Sequence, residues 1–335
     1  MHHHLEIKEG KTDMSYSKIL VTGGAGFIGS HIVDALLKKD YEVTVLDNFC
    51  NGRVTNLIHH KGRKNLHLIR GDVRDFNLVK KAMKEIDVVF HEAALSSVAL
   101  SIENPTLTND VNVGGTLNLL KASLDSGLKR FILASSASIY GETRPPKKRE
   151  GTIARPISPY AVSKLSAENY ARVYYQTHGL ETVCLRYFNV YGPRERNSPY
   201  SSVTTIFISR ILKNQPPIIY GDGEQTRDFI NVHDVVDANL LALESKNAVG
   251  ETFNIGTGTR ISVKELAGML LKITNKKDLK PIYVDPKSGD IRLIYADISK
   301  AKKTLGFHPK VSLKEGLGKL VDWYTVRTQQ NTEWQ

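Results

Sequence analysis

The sequence predicts a doubly wound α/β protein, a parallel sheet with helices on both faces, followed by a smaller mixed α/β C-terminal lobe. Three observations predict it. From Lys18 onward, short apolar runs alternate with helical stretches. The runs are continuously apolar rather than alternating, as strands covered on both faces require. A glycine-rich turn joins the first run to the first helical stretch.

Residues 1–15 stand outside this pattern. M-H-H-H-L-E reads as a purification tag or cloning scar, with Met14 as the natural start. K-I-L-V-T (18–22) is the first predicted strand, and it leads into a helix over 28–39. Further strands are expected at 42–47, 66–71, 87–91, 130–135 and 182–187, with helices over 77–84 and a long one ending near Ser126. After Tyr187 the texture changes to a Gly/Pro/Arg-rich loop over 192–200, a helix, P-P-I-I-Y-G-D-G-E and a Lys-rich final third.

Composition narrows the class. Apolar residues at 41% and charged ones at 24% are those of an ordinary globular chain. No run of eighteen apolar residues exists, so no membrane span is expected, and the polar N-terminus is not a signal peptide. Two cysteines, Cys50 and Cys184, are too few for a disulfide scaffold and fit a reducing, cytoplasmic setting. The net charge of +11 is scattered as lysine pairs, and the densest run, P-P-K-K-R-E, ends in an acid. It points to anionic small substrates rather than to nucleic acid. No metal is expected: His59-His60 is the only close His pair beyond the N-terminal run, with no partner at ligand spacing.

The first strand runs into T-G-G-A-G-F-I-G, in which Gly23, Gly26 and Gly29 form G-x-x-G-x-x-G. Glycines there permit a tight turn and close backbone approach, so that a pyrophosphate can sit on the helix N-terminus. Asp47 ends the second strand, eighteen residues after Gly29, where a carboxylate accepts hydrogen bonds from an adenosine ribose and repels a 2′-phosphate. NAD is therefore expected over NADP. Asp72, in G-D-V-R-D, is either an adenine contact or a helix cap.

In S-P-Y-A-V-S-K, Ser158 is a natural N-cap and Pro159 fits the first helical position. Tyr160 and Lys164 then fall one turn apart on one face. A free phenol, with a pKa of about 10, is a poor base at neutral pH. A nearby ammonium and a positive nicotinamide ring are expected to lower it, so that Tyr160 takes a proton from a hydroxyl as hydride leaves. Ser136, in A-S-S-A-S-I-Y-G, is expected to hydrogen-bond the reacting oxygen.

These pieces together resemble the extended short-chain dehydrogenase/reductase family, in its NAD-dependent epimerase/dehydratase group of nucleotide-sugar enzymes. L-D-N-F-C-N-G (46–52), H-E-A-A (91–94), L-R-Y-F-N-V-Y-G-P-R (185–194), G-D-G-E-Q-T-R-D-F-I-N-V-H-D (221–234) and F-N-I-G (253–256) extend the resemblance over 18–325. It implies a Rossmann domain over 16–187 with a returning segment at 228–256. A nucleotide-sugar lobe over 188–227 and 257–335 and a homodimer built through a four-helix bundle are also implied. The implied cofactor contacts are Gly23, Gly26, Phe27, Ile28, Gly29, Asp47, Asn48, Asp72, Val73, Ala93, Ala94, Tyr160 and Lys164. Ser136, Tyr160 and Lys164 are the implied catalytic residues. Ser136, Tyr160, Asn189, Arg227 and Lys287 are implied substrate contacts, with Arg292 compensating if Lys287 lacks the fork of an arginine. Ile294 aligns with the gate for N-acetyl sugars.

Dehydratases of this resemblance carry Asp-Glu or Glu where this chain has Ala137-Ser138, and decarboxylases a Glu in place of Ser138. Neither Ala nor Ser serves as acid or base there. The resemblance therefore points to 4-epimerisation of UDP-hexoses, glucose and galactose first and their N-acetyl forms second. The dehydratase and decarboxylase reactions are the alternatives. A dinucleotide-sensing regulator would typically lack Tyr160 or Lys164, and both are present.

Overall fold

In the computed structural model, the described residues are 16–198, 201–286 and 291–332. Seven strands form one parallel sheet: β1 (Lys18–Thr22), β2 (Glu42–Asp47), β3 (Leu66–Arg70), β4 (Val88–His91), β5 (Arg130–Ser136), β6 (Glu181–Tyr187) and β7 (Thr252–Ile255). Their order is β7-β6-β5-β4-β1-β2-β3. All neighbours pair parallel, β1 for example placing Ile19 opposite both Val43 and Val88. Chain order reverses between β1 and β4, and this switch point opens a crevice at the C-terminal ends of the two strands.

The sheet is buried on both faces, as its apolar strands demand. On one side α1 (Phe27–Lys38) and a helix over Val232–Glu244 pack Ile32, Leu36, Val235 and Leu243 against Val45, Val183 and Phe253. On the other, α2 (Phe76–Ala82), α3 (Gly115–Ser126) and α4 (Pro159–His178) place Val79, Leu119 and Ala167 over Leu20, Phe131 and Cys184. Each fully buried Leu, Ile or Val contributes roughly 1.5–3 kcal/mol, so these two layers account for most of the driving force. Both cysteines are free, Cys184 buried and Cys50 exposed.

A smaller lobe gathers helices Val203–Leu212, Val263–Ile273 and Leu313–Thr332 around Phe207, Ile211, Leu266, Leu270 and Leu317. Strand β7, far along the chain, nonetheless closes the edge of the main sheet beside β6. A buried polar network ties the two sides of that edge. Arg186 of β6 pairs with Glu168 of α4, which also accepts from Ser135, and donates to the Tyr140 hydroxyl, itself bonded to Asn254 of β7. No described helix is long and apolar enough to cross a membrane.

Candidate active site

Gly23 leaves β1 at φ +66°, a left-handed conformation that favours glycine, and its N–H donates to Leu46 O at 2.8 Å. A Cβ on Gly23 would lie 2.8 Å from Ala93 N, and one on Gly29 only 2.3 Å from Gly23 O. Any side chain at either position would fill the cradle. Gly26 caps α1 with no side-chain bond, so the first-turn N–H groups of the helix face the crevice without intrahelical partners. That is a donor set for a pyrophosphate.

One cleft runs from this turn across the ends of β2, β3 and β4 to α4. Every cofactor residue expected from the sequence lines it: Gly23, Gly26, Phe27, Ile28, Gly29, Asp47, Asn48, Asp72, Val73, Ala93, Ala94, Tyr160 and Lys164. Asp47 also braces the glycine turn, accepting from Ala25 N at 2.9 Å and Phe49 N at 2.8 Å. Burial raises its pKa against those two bonds. Asp72 is no helix cap. Asp75 caps α2, while Asp72 faces the cleft, accepting from Asn48 Nδ2 and held well below the usual carboxylate range chiefly by Arg74.

Ser158 caps α4 by accepting from Ala161 N, with Pro159 at the first helical position. Tyr160 and Lys164 accordingly face the cleft together. Lys164 Nζ donates to Ala134 O at 2.8 Å. In the protein alone, Lys164 is not among the groups that shift the Tyr160 phenol. Burial holds the phenol above its usual value, Ser136 opposes that by favouring the phenolate, and Glu92 adds to it. The Lys164 ammonium is instead destabilised by burial, against the attraction of Glu92. Ser136 Oγ accepts from Ser138 Oγ at 2.9 Å and from Ser138 N at 3.2 Å.

One cleft residue, and one that braces the cleft from behind, escaped the sequence reading. Glu92 stands between His91 and Ala93, accepting from the Tyr187 hydroxyl at 2.8 Å, and burial pushes its carboxyl up. An acid directly after a buried strand, inside H-E-A-A, was the available signal. Asn112 lies in a π-helical turn, Asp110–Gly114, a form enriched at functional sites. It bonds Leu95 through both backbone groups and donates to Ser163 Oγ at 2.9 Å, so it clamps the β4 loop to α4. No spacing in the sequence marked it.

The residues expected to hold substrate are dispersed. Asn189, Arg227, Arg292 and Ile294 do not line the cleft, and Lys287 lies outside the described residues, as do residues 1–15. Arg292, expected to compensate for Lys287, directs both terminal nitrogens at Asp222, at 2.6 and 2.7 Å. Ile294 is 3% exposed in an apolar cluster with Ala137, Tyr140 and Phe188. The far wall of the cleft comes from Arg194, Glu195, Arg196 and Ser201, of which Glu195 is engaged by Ser202 and Thr205.

A dinucleotide cradle at the switch point, with a tyrosine and a lysine one helical turn apart beside it, defines the extended short-chain dehydrogenase/reductase class. The model of the NAD-dependent epimerase/dehydratase family matches residues 19–256. A protein of Methanocaldococcus jannaschii provisionally named UDP-glucose 4-epimerase is 43% identical over 307 residues, covering 91% of this chain and 97% of its own. A UDP-N-acetyl-alpha-D-glucosaminuronate decarboxylase of Bacillus cytotoxicus is 34% identical, covering 92% and 97%. The crystal structure of UDP-glucose 4-epimerase from Thermotoga maritima with UDP-glucose superposes with a TM-score of 0.88 at 41% identity, covering 93% and 99%. The chain belongs to the NAD-dependent epimerase/dehydratase family, and its cofactor is NAD.

Proposed function

We propose that the protein is a UDP-hexose 4-epimerase that interconverts UDP-glucose and UDP-galactose. One observation carries the choice within the family. At the position where dehydration or decarboxylation calls for a carboxylate stands Ser138, whose hydroxyl is bonded to Ser136. Ala137 beside it is buried. Of the cleft carboxylates, Glu92 is held by Tyr187 at the β4 end. At the Ser136–Ser138 wall beside Tyr160 stand hydroxyls, suited to moving one proton at one sugar oxygen.

NAD, when bound, supplies the hydride acceptor and donor for C4 together with a positive charge near Tyr160. Tyr160 takes the proton of the sugar 4-hydroxyl and later returns it. Ser136 donates a hydrogen bond to O4 as charge develops there, the kind of fixed donor most effective in a water-poor site. Lys164, oriented by Ala134 O, holds the nicotinamide ribose. Asn189 and Arg227 in the second lobe hold the pyrophosphate, with Lys287, while the 4-ketose turns its other face. Ile294, intermediate in size and buried beside Ala137, admits N-acetylhexosamines as secondary substrates.

The test uses purified protein with no added NAD. UDP-galactose and UDP-GalNAc are supplied separately and the sugars followed by proton NMR. The gluco epimer forms without net NADH, and Tyr160→Phe slows it by about 100-fold or more while retaining the cofactor. Loss of the 6-hydroxyl from a glucose nucleotide, or of carbon dioxide from UDP-glucuronate, without epimer would overturn the reading.

A further inference from the structure

The sequence offers His59-His60 no third partner, and the fold supplies one. Asp34 lies on α1, and the 3-10 turn Ile58–His60 in the β2–β3 connection packs against it. Both imidazole Nε2 atoms reach one carboxylate oxygen, Asp34 Oδ1, at 3.0 Å from His59 and 2.7 Å from His60. The ring centroids are 4.0 Å apart with planes inclined by 43°, so the two rings converge instead of stacking flat. All three ligand atoms lie within 4.8 Å of one another. A tetrahedral ion with bonds of about 2.0–2.1 Å sets its ligand atoms about 3.4 Å apart, within reach of small side-chain rotations.

The surroundings suit an ion as well. Asp34 Oδ2 accepts from Arg194 at 2.7 Å, and an outer hydrogen bond of this kind fixes the plane of a metal-bound carboxylate. His60 is largely covered and His59 more open, which leaves room for a water as fourth ligand. Two imidazoles and one carboxylate favour zinc and its first-row neighbours over calcium or magnesium, which take all-oxygen sites. Arg194 also lines the cofactor cleft, so the cluster sits behind one wall of that cleft without entering it.

We propose that Asp34, His59 and His60 bind one divalent transition-metal ion of the zinc class, tying the β2–β3 connection to α1. This site is separate from the epimerase reading and stands or falls without it. The test uses the full chain with H2A/H3A/H4A, because three consecutive histidines at the N-terminus bind metal by themselves. Equilibrium dialysis against zinc chloride, with metal content by mass spectrometry, gives one equivalent per chain. Zinc also raises the thermal midpoint, since an ion that binds only the folded state stabilises it. His60→Ala, and separately His59→Ala, lowers zinc affinity at least tenfold and abolishes the thermal shift. Retained NAD in each variant shows that it is folded. Absence of stoichiometric zinc in the parent, or undiminished zinc in both folded variants, would overturn the proposal.

Discussion

Glu92 is the residue through which the cleft's electrostatics can be tested most directly. Its negative charge raises the pKa of Tyr160 and of Lys164 alike, against the lowering that burial imposes on the lysine. Glu92→Gln removes that charge, so both pKa values fall. The phenolate then forms at lower pH and the ammonium is lost at lower pH, and both limbs of the activity profile move toward acid. A shift of about one pH unit, worth about 1.4 kcal/mol, is expected in kcat/KM for UDP-galactose. An unmoved profile would mean that the Glu92 charge does not reach the proton-transfer groups. At this scale the sequence was legible where a local rule applied. Tyr160 and Lys164 could be paired because Ser158 and Pro159 fix where α4 begins. Glu92 could not, since its partner Tyr187 comes 95 residues later. The role given to Lys164 needed the same kind of information, namely where its ammonium points.

Among the elements, the turn between β1 and α1 is the most constrained. A methyl group on Gly29 would fall 2.3 Å from a backbone oxygen, Gly23 O, which cannot rotate away. Gly29→Ala is therefore expected to open the turn and to weaken NAD at least tenfold, about 1.4 kcal/mol, read as loss of cofactor through purification. Gly268→Ala is the control. It lies inside helix Val263–Ile273 with nothing within 4 Å of its added methyl, so it raises stability by up to about 1 kcal/mol and leaves NAD untouched. Normal NAD retention by Gly29→Ala would show that the cradle tolerates a side chain. Strand positions were readable because continuous apolar runs have few alternatives once the glycine turn fixes the first of them. Element ends were less so. The helix expected at 77–84 runs over Phe76–Ala82 because Asp75 rather than a later residue caps it. Asp34 and the His59-His60 pair, 25 and 26 residues apart, are brought together only when α1 packs beside the β2–β3 connection.

At the scale of the whole molecule, α4 has two working faces. The inner one carries Tyr160, Lys164 and Glu168, while the outer one exposes Val162, Tyr170 and Val173. The short helices Val98–Glu103 and Pro105–Asn109 pack against α4 and add exposed Ile102 and Leu107. A cluster of apolar side chains on adjacent helices marks an interaction surface. We propose that a homodimer pairs these faces about a two-fold axis and buries them as a helix bundle, each helix meeting its own copy. The double variant Val162→Asp with Val173→Asp places like charges in such a contact twice over. It is expected to shift the mass measured by light scattering from two chains to one at micromolar concentration, with NAD still bound. Because the same helix holds Tyr160 from behind, turnover should fall together with the dimer, while cofactor content does not. A dimer that survives both substitutions would move the interface elsewhere. A monomer with undiminished turnover would show that α4 is held in place by its own chain, through Lys164 and the Glu168–Arg186 pair to the sheet and Ser163 to Asn112, without help from a second chain.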